Sequence, residues 1–223
     1  TFTADDGFAG SGTVSVGTGY VDAVGNTGTV GADNVTIDTL NPAMDYGDAP
    51  DTGPGVGAGD YQTVGGNNGP RHALGEAIYL GASVDGDDGT VQNSTATADD
   101  VNGALPDDED GVLNPLDLLG TVGATPTVTL LATNTTGSAA TLSGWIDYNH
   151  DGVFDNATER ASVAVSTGTT NGRFTLKFPS IPSGTAGTTY ARFRVSTDAA
   201  AANSTGAASD GEVEDYLFTI SNS

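Results

Sequence analysis

"TYARFRV", residues 189–195, decides the fold. Ala191, Phe193 and Val195 alternate with Arg192 and Arg194. On a β-strand the three apolar side chains face in and the two guanidiniums face out. "RFTLKF" (173–178) repeats the pattern, with Phe174, Leu176 and Phe178 on one face and Arg173, Thr175 and Lys177 on the other. "TVTLLAT" (127–133), "ATLSGWIDY" (140–148), "ASVAV" (161–165) and "VEDYLFTI" (213–220) read as four further strands. Turn residues separate the six, which predicts an all-β fold, an antiparallel β-sandwich. Its expected core contains Trp145, Phe174, Leu176, Phe178, Phe193, Val195, Tyr216, Phe218 and Ile220.

Upstream the pattern weakens. From Asp45 to about Pro126 the chain is rich in Gly, Pro and Asp, which predicts long loops. At most one short helix is expected, with "RHALGEAIYLG" (71–81) its best candidate and "AIYLG" within it the best strand of this stretch. The 223 residues include 29 Asp+Glu against 6 Lys+Arg, a net charge of -23. That balance argues against nucleic acid and anionic membranes as partners. With 36% apolar residues the chain can still build a core. A folded chain this acidic repels itself unless cations bind, and divalent ions answer the charge best. There is no cysteine, which excludes disulfides and Cys-based zinc or redox sites. No run of about 18 apolar residues spans a membrane. No signal peptide opens the sequence, and its start in mid-pattern suggests a piece of a longer chain.

The acids fall in clusters. "DYNHDGVFDNATE" (147–159) offers side-chain oxygens at Asp147, Asn149 and Asp151, then Gly152 for a sharp bend, then the Val153 carbonyl. That spacing is the front half of a calcium loop. The closing carboxylate belongs at Thr158, and Glu159 comes one residue late. Strands flank the loop, so it is not an EF-hand. The competing reading is an Asx-rich hairpin turn without metal. "DDEDGV" (107–112) sets Asp107, Asp108 and Asp110 just ahead of apolar Val112 and Leu113. Asp85, Asp87, Asp88, Asp99 and Asp100 precede it, and residues 72–159 hold no Lys or Arg. Converging hard oxygens suit a second calcium ion, against a plain solvated acidic loop. In "GEVEDY" (211–216), Glu212 and Glu214 share one face and Asp215 takes the other. They are metal ligands or cross-strand partners of Arg192 and Arg194.

Two resemblances follow. "DAVGNTGT" (22–29) and "VTIDTLNP" (35–42) resemble the end of the immunoglobulin-like repeats of large bacterial adhesins. Residues 1–42 are therefore expected to be the tail of such a repeat or linker strands, with the calcium-dependent ligand-binding domain at 43–223. "DYGDAPD" (45–51), "GPRHAL" (69–74), "YLGASVDGDDG" (79–89), "ATADD" (96–100), "DDEDGV", "WIDYNHDGVFD" (145–155), "ARFRVS" (191–196) and "GEVEDY" occur in that order. Together they resemble the GEVED-domain family of secreted bacterial proteins over roughly residues 45–221. With its adhesin-like start, the chain is similar to the calcium-dependent peptide-binding domain of long repeat-containing (RTX) adhesins. The resemblance implies several calcium ions that stabilise the loops, adds Asp45 and Asp48 to the candidate ligands, and implies a secreted, cell-surface module, monomeric within a longer chain. Its implied partner is the exposed C-terminal end of a protein on a host or neighbouring cell.

The mechanism is physically consistent. An acidic surface repels a peptide carboxylate, and an ion with an open coordination position reverses the local sign. Asp87, Asp88 and Asp108 are expected to hold that ion. Arg71 and His72 are an alternative anchor, Arg71 for its bidentate grip on carboxylates, although a salt bridge to the acidic loops accounts for Arg71 equally. His72 and His150 lie too far apart in sequence to suggest zinc. No GxSxG, HExxH or phosphate-binding Gly loop points to an enzyme. Two alternatives stand beside peptide capture: a calcium-stiffened spacer, and a carbohydrate-binding module using Tyr46, Tyr61, Tyr79 and Trp145.

Overall fold

The computed structural model describes residues 9–16, 24, 31–38, 44–84, 86, 87, 89, 90, 92–98 and 109–223, with only the backbone of 9–16 and 31–38. The chain divides into two units, Thr1–Pro42 and Ala43–Ser223. In the first, β1 (Ala9–Val16) pairs antiparallel with β2 (Gly31–Asp38), Ala9 opposite Asp38. The second unit contributes β3 (Met44–Tyr46), β4 (Arg71–Ala73), β5 (Ile78–Leu80), β6 (Leu119–Thr121), β7 (Thr127–Asn134), β8 (Ala140–Ile146) and β9 (Arg160–Val165). It continues with β10 (Thr169–Lys177), β11 (Gly187–Ser196), β12 (Ala207–Ala208) and β13 (Glu212–Ser221). All six strands expected in the C-terminal half are present. The expected helix at 71–81 is instead two short strands, β4 and β5, because each extends a neighbouring sheet: β4 pairs with β3 and β5 with β7.

The body is a sandwich. A three-stranded sheet, β10-β7-β5, faces a five-stranded one, β6-β13-β11-β8-β9. All pairings in these sheets are antiparallel except β6, which joins β13 in parallel at the edge. Leu130 and Leu176 from the small sheet meet Leu142, Phe193, Val195 and Phe218 from the large one. Phe178 and Phe193 pack edge-to-face at 6.5 Å between centroids. Burial of this apolar surface supplies the main driving force, at about 25 cal/mol per Å². Of the expected core, Phe174 and Tyr216 are half-buried at its rim. Trp145 is fully buried but lies elsewhere, since it pairs with Arg192 across β8 and β11 and so shares that residue's face.

That face corrects the expectation for "ARFRV". Arg192 and Arg194 point away from Phe193, as alternation requires, yet both are 0% exposed. Alternation fixes which face a side chain takes; it does not make that face wet. Here a second layer covers it, made from the loops after β3, the small β12-β4-β3 sheet and the segment 199–210. A second apolar cluster sits between, with Ala49, Tyr61, Ala96 and Phe154 from the loops against Trp145 and Tyr190 from the sheet.

Candidate metal centre

The Asp147 loop leaves β8 where the Asp147 N–H still donates to the Tyr190 carbonyl at 3.1 Å. His150 (φ 59°) and Gly152 (φ 78°) are left-handed and wind the chain into a tight turn. Gly152 is required twice, for its φ and because a Cβ there would collide with the carbonyl oxygens of Gly57 and Asp60. Asp147 is 0% exposed. Its Oδ2 accepts from Gly152 N–H at 3.0 Å and from the Tyr61 hydroxyl at 2.7 Å, and its Oδ1 from Asp151 N–H at 3.3 Å. Asn149 Oδ1 accepts from Asp151 N–H at 3.1 Å, while Asn149 Nδ2 donates to Asp151 Oδ2 at 2.8 Å. Val153 N–H donates to Asp151 Oδ1 at 2.9 Å. The three side chains named from the spacing thus enter one turn.

Glu159, the late carboxylate, folds back onto the loop. Its Oε1 accepts from Tyr148 N–H at 2.8 Å and its Oε2 from Asp155 N–H at 2.9 Å. Its carboxyl is pushed up to about 7, chiefly by burial and in part by the Asp147 charge, against the lowering by the backbone hydrogen bonds. Asp147 and Glu159 are therefore two buried acids at one turn. Hard oxygens and excess negative charge are the chemistry of a calcium site, and the residues fit that ion. Among the described residues no three His, Asp or Glu side chains gather into one group. An ion here would draw on Asn149 and the Val153 carbonyl as well as on carboxylates.

The "GEVEDY" segment divides by strand parity. Asp215 lies on the covered face and pairs with Arg192 through two bonds, Nε to Oδ1 at 2.7 Å and Nη2 to Oδ2 at 2.8 Å. Asp215 Oδ2 also accepts from Ala49 N–H at 2.9 Å, so this acid serves an ion pair and a loop amide. Glu212 and Glu214 lie on the core-facing side, so the expected Arg–Glu pairing does not form. Glu212 Oε2 accepts from Leu80 N–H, and Glu214 accepts from Gly111 N–H at 2.8 Å and from the Tyr216 hydroxyl at 3.1 Å. The neighbouring acids also cap amides. Asp45 holds Val213 N–H, Asp48 holds Ala98 N–H, Asp87 holds those of Tyr46 and Gly89, and Asp110 holds Ala82 N–H. Asp85, Asp88, Asp99, Asp100, Asp107 and Asp108 lie outside the described residues.

His72, named as an alternative anchor, lies within the covered face. It is 0% exposed, its Nε2 accepts from Arg194 Nε at 2.8 Å, and its Nδ1 is 2.7 Å from the Asp210 carbonyl. The bond from Arg194 requires Nε2 unprotonated, so Nδ1 carries the proton and donates. Burial, and then the Arg194 charge, hold the ring down at about 3. Arg71, half-buried, donates to the Gly69 carbonyl at 3.4 Å. Of the four aromatics named for a sugar platform, Trp145 and Tyr61 are 0% and 1% exposed and Tyr46 and Tyr79 are half-buried. Sequence reasoning missed the roles of Tyr61, Arg192 and Arg194. One signal was available: Asp215 and Arg192 both oppose their strands' core faces, which puts them together once β11 and β13 pair. No curated protein and no solved structure matches the chain. Residues 141–219, from the second residue of β8 almost to the end of β13, match the family model of the GEVED domain.

Proposed function

We propose that the chain is a calcium-dependent binding module of a secreted bacterial adhesin, and that it captures the free C-terminal carboxylate of a peptide. The observation that supports the ionic part is the Asp147 turn. Two buried acids and an Asn side chain share it, and burial, with the Asp147 charge beside it, drives Glu159 toward neutrality. Bound calcium supplies that charge and takes hard oxygen ligands. Asp147, Asn149, Asp151 and the Val153 carbonyl would hold it, with Glu159 behind them. The ion open to ligand is placed in the acidic loops around Asp87 and Asp108, in a span without Lys or Arg. There a peptide carboxylate would complete the coordination that the chain's own acids begin.

The amidation test separates this reading from its rival. With calcium present, peptides with free C-termini bind and the same peptides amidated do not. Equal binding of both sets rules out carboxylate capture. A specific observation favours the rival, a structural spacer: Asp45, Asp48, Asp87, Asp110, Glu212 and Glu214 already cap backbone amides and stiffen the loops. A module that takes up calcium and binds neither peptide set is that spacer.

A further inference from the structure

A cleft of about 250 Å³ opens beside the Asp147 loop. Val153, Phe154 and Asn156 line one side of it. The other side is the segment 203–205, whose backbone the buried arginines hold in place. Arg192 Nη1 donates to the Ser204 carbonyl at 3.0 Å. Arg194 Nη1 donates to the carbonyls of Asn203 and Thr205, and its Nη2 to that of Gly206 at 2.9 Å. Two further bonds tie the sides together, Asn156 Nδ2 to Asn203 Oδ1 at 3.2 Å and the Ser204 hydroxyl to the Phe154 carbonyl at 3.2 Å. Both sides are thus fixed before any ligand arrives, and pre-organisation of this kind lowers the cost of binding.

The lining selects by chemistry. Arg192 reaches the cleft, but its guanidinium is committed to Asp215, Thr63 and the carbonyls of Gln62 and Ser204. A carboxylate would find no uncommitted cation among these lining residues. Phe154 offers no ring to a sugar, because Arg192 lies 5.0 Å over its centroid and Tyr61 stacks on it at 5.0 Å. What remains are neutral amides and hydroxyls, from Gln62, Asn156, Asn203 and Thr205. A cleft this small, near the lower end for ligand pockets, suits a single residue.

We propose that this cleft is a subsite for one uncharged residue of the peptide ligand, recognised through its amide or hydroxyl groups. The inference rests on the peptide-binding reading above and moves side-chain selectivity to the 203–205 segment. Thr205→Tyr should fill the cleft while keeping the carbonyl that Arg194 holds. The probe is a random hexapeptide library with free C-termini, panned in calcium against the wild-type chain and against Thr205→Tyr. Selected peptides should bind Thr205→Tyr at least tenfold more weakly, with calcium stoichiometry and calcium-dependent melting unchanged. They should also shift the side-chain amide resonances of Asn156 and Asn203 in the wild type. Wild-type affinity in Thr205→Tyr without amide shifts overturns the subsite and leaves the peptide reading standing. A library in which nothing binds the wild type overturns both.

Discussion

The two faces of the five-stranded sheet are buried by different chemistry. Toward the small sheet, Phe193 and Val195 join a cluster of apolar side chains, and burial there needs no partner of defined geometry. One residue along β11, Arg192 and Arg194 are equally buried, and each guanidinium donates to carbonyls and to Asp215 or His72. An apolar face tolerates any filling of similar volume; a polar buried face is stable only when every partner is in place. The covered face therefore concentrates specificity, and it holds the loops that shape the candidate sites.

Breaking the comparison at its strongest point gives the largest effects. Phe193→Ala should cost about 3–5 kcal/mol by urea unfolding through the cavity it leaves. Arg192→Ala should cost a similar amount for another reason, because it strands Asp215 in a dry site, at about 3–5 kcal/mol. The double variant Arg192→Met/Asp215→Leu should recover most of the Arg192→Ala loss, since the uncompensated charge goes with it. No corresponding rescue is expected at Phe193 short of refilling the cavity.

A further effect, absent at neutral pH and growing as pH falls, separates the faces. His72 on the covered side titrates at about 3 when folded, against 6.5 ordinarily. Between those values the unfolded chain binds a proton that the folded one refuses, so unfolding is favoured there. Stability from this group is complete above pH 6.5 and falls steadily toward pH 3. Urea midpoints for wild type and His72→Gln should differ in slope across that window; parallel slopes would remove His72 from the account. Smaller than the losses at Phe193 and Arg192 is that of Tyr61→Phe, which deletes the hydroxyl bonded to Asp147 and should cost about 1–3 kcal/mol. Hydrogen exchange should locate that loss in the loop layer while the apolar sandwich stays protected.

These contrasts show what the sequence could disclose. Six strands and most of the core were legible because β alternation is local and Phe174, Leu176 and Phe178 display it openly. The Asp147 turn was legible because its spacing, Gly152 included, carries its own geometry. The covered face was not. Whether Arg192 meets water depends on Gln62 and Thr63, some 130 residues away, and no periodicity encodes that contact. Residues 71–81 read as helical because Ala, Leu and Glu favour helix, yet pairing with β3 and β7 overrode that weak preference. The division of "GEVEDY" followed from parity; which acid meets an arginine needed the pairing of β13 with β11.

The most direct measurement is a calorimetric calcium titration of the EGTA-treated chain, paired with thermal melts before and after loading, for wild type and Asp147→Ala. The account predicts that calcium raises the wild-type melting temperature and that Asp147→Ala binds at least one ion fewer. A melting temperature indifferent to EGTA, with the same stoichiometry in both proteins, would contradict it and leave the Asp147 turn an Asx-rich bend braced by its own hydrogen bonds.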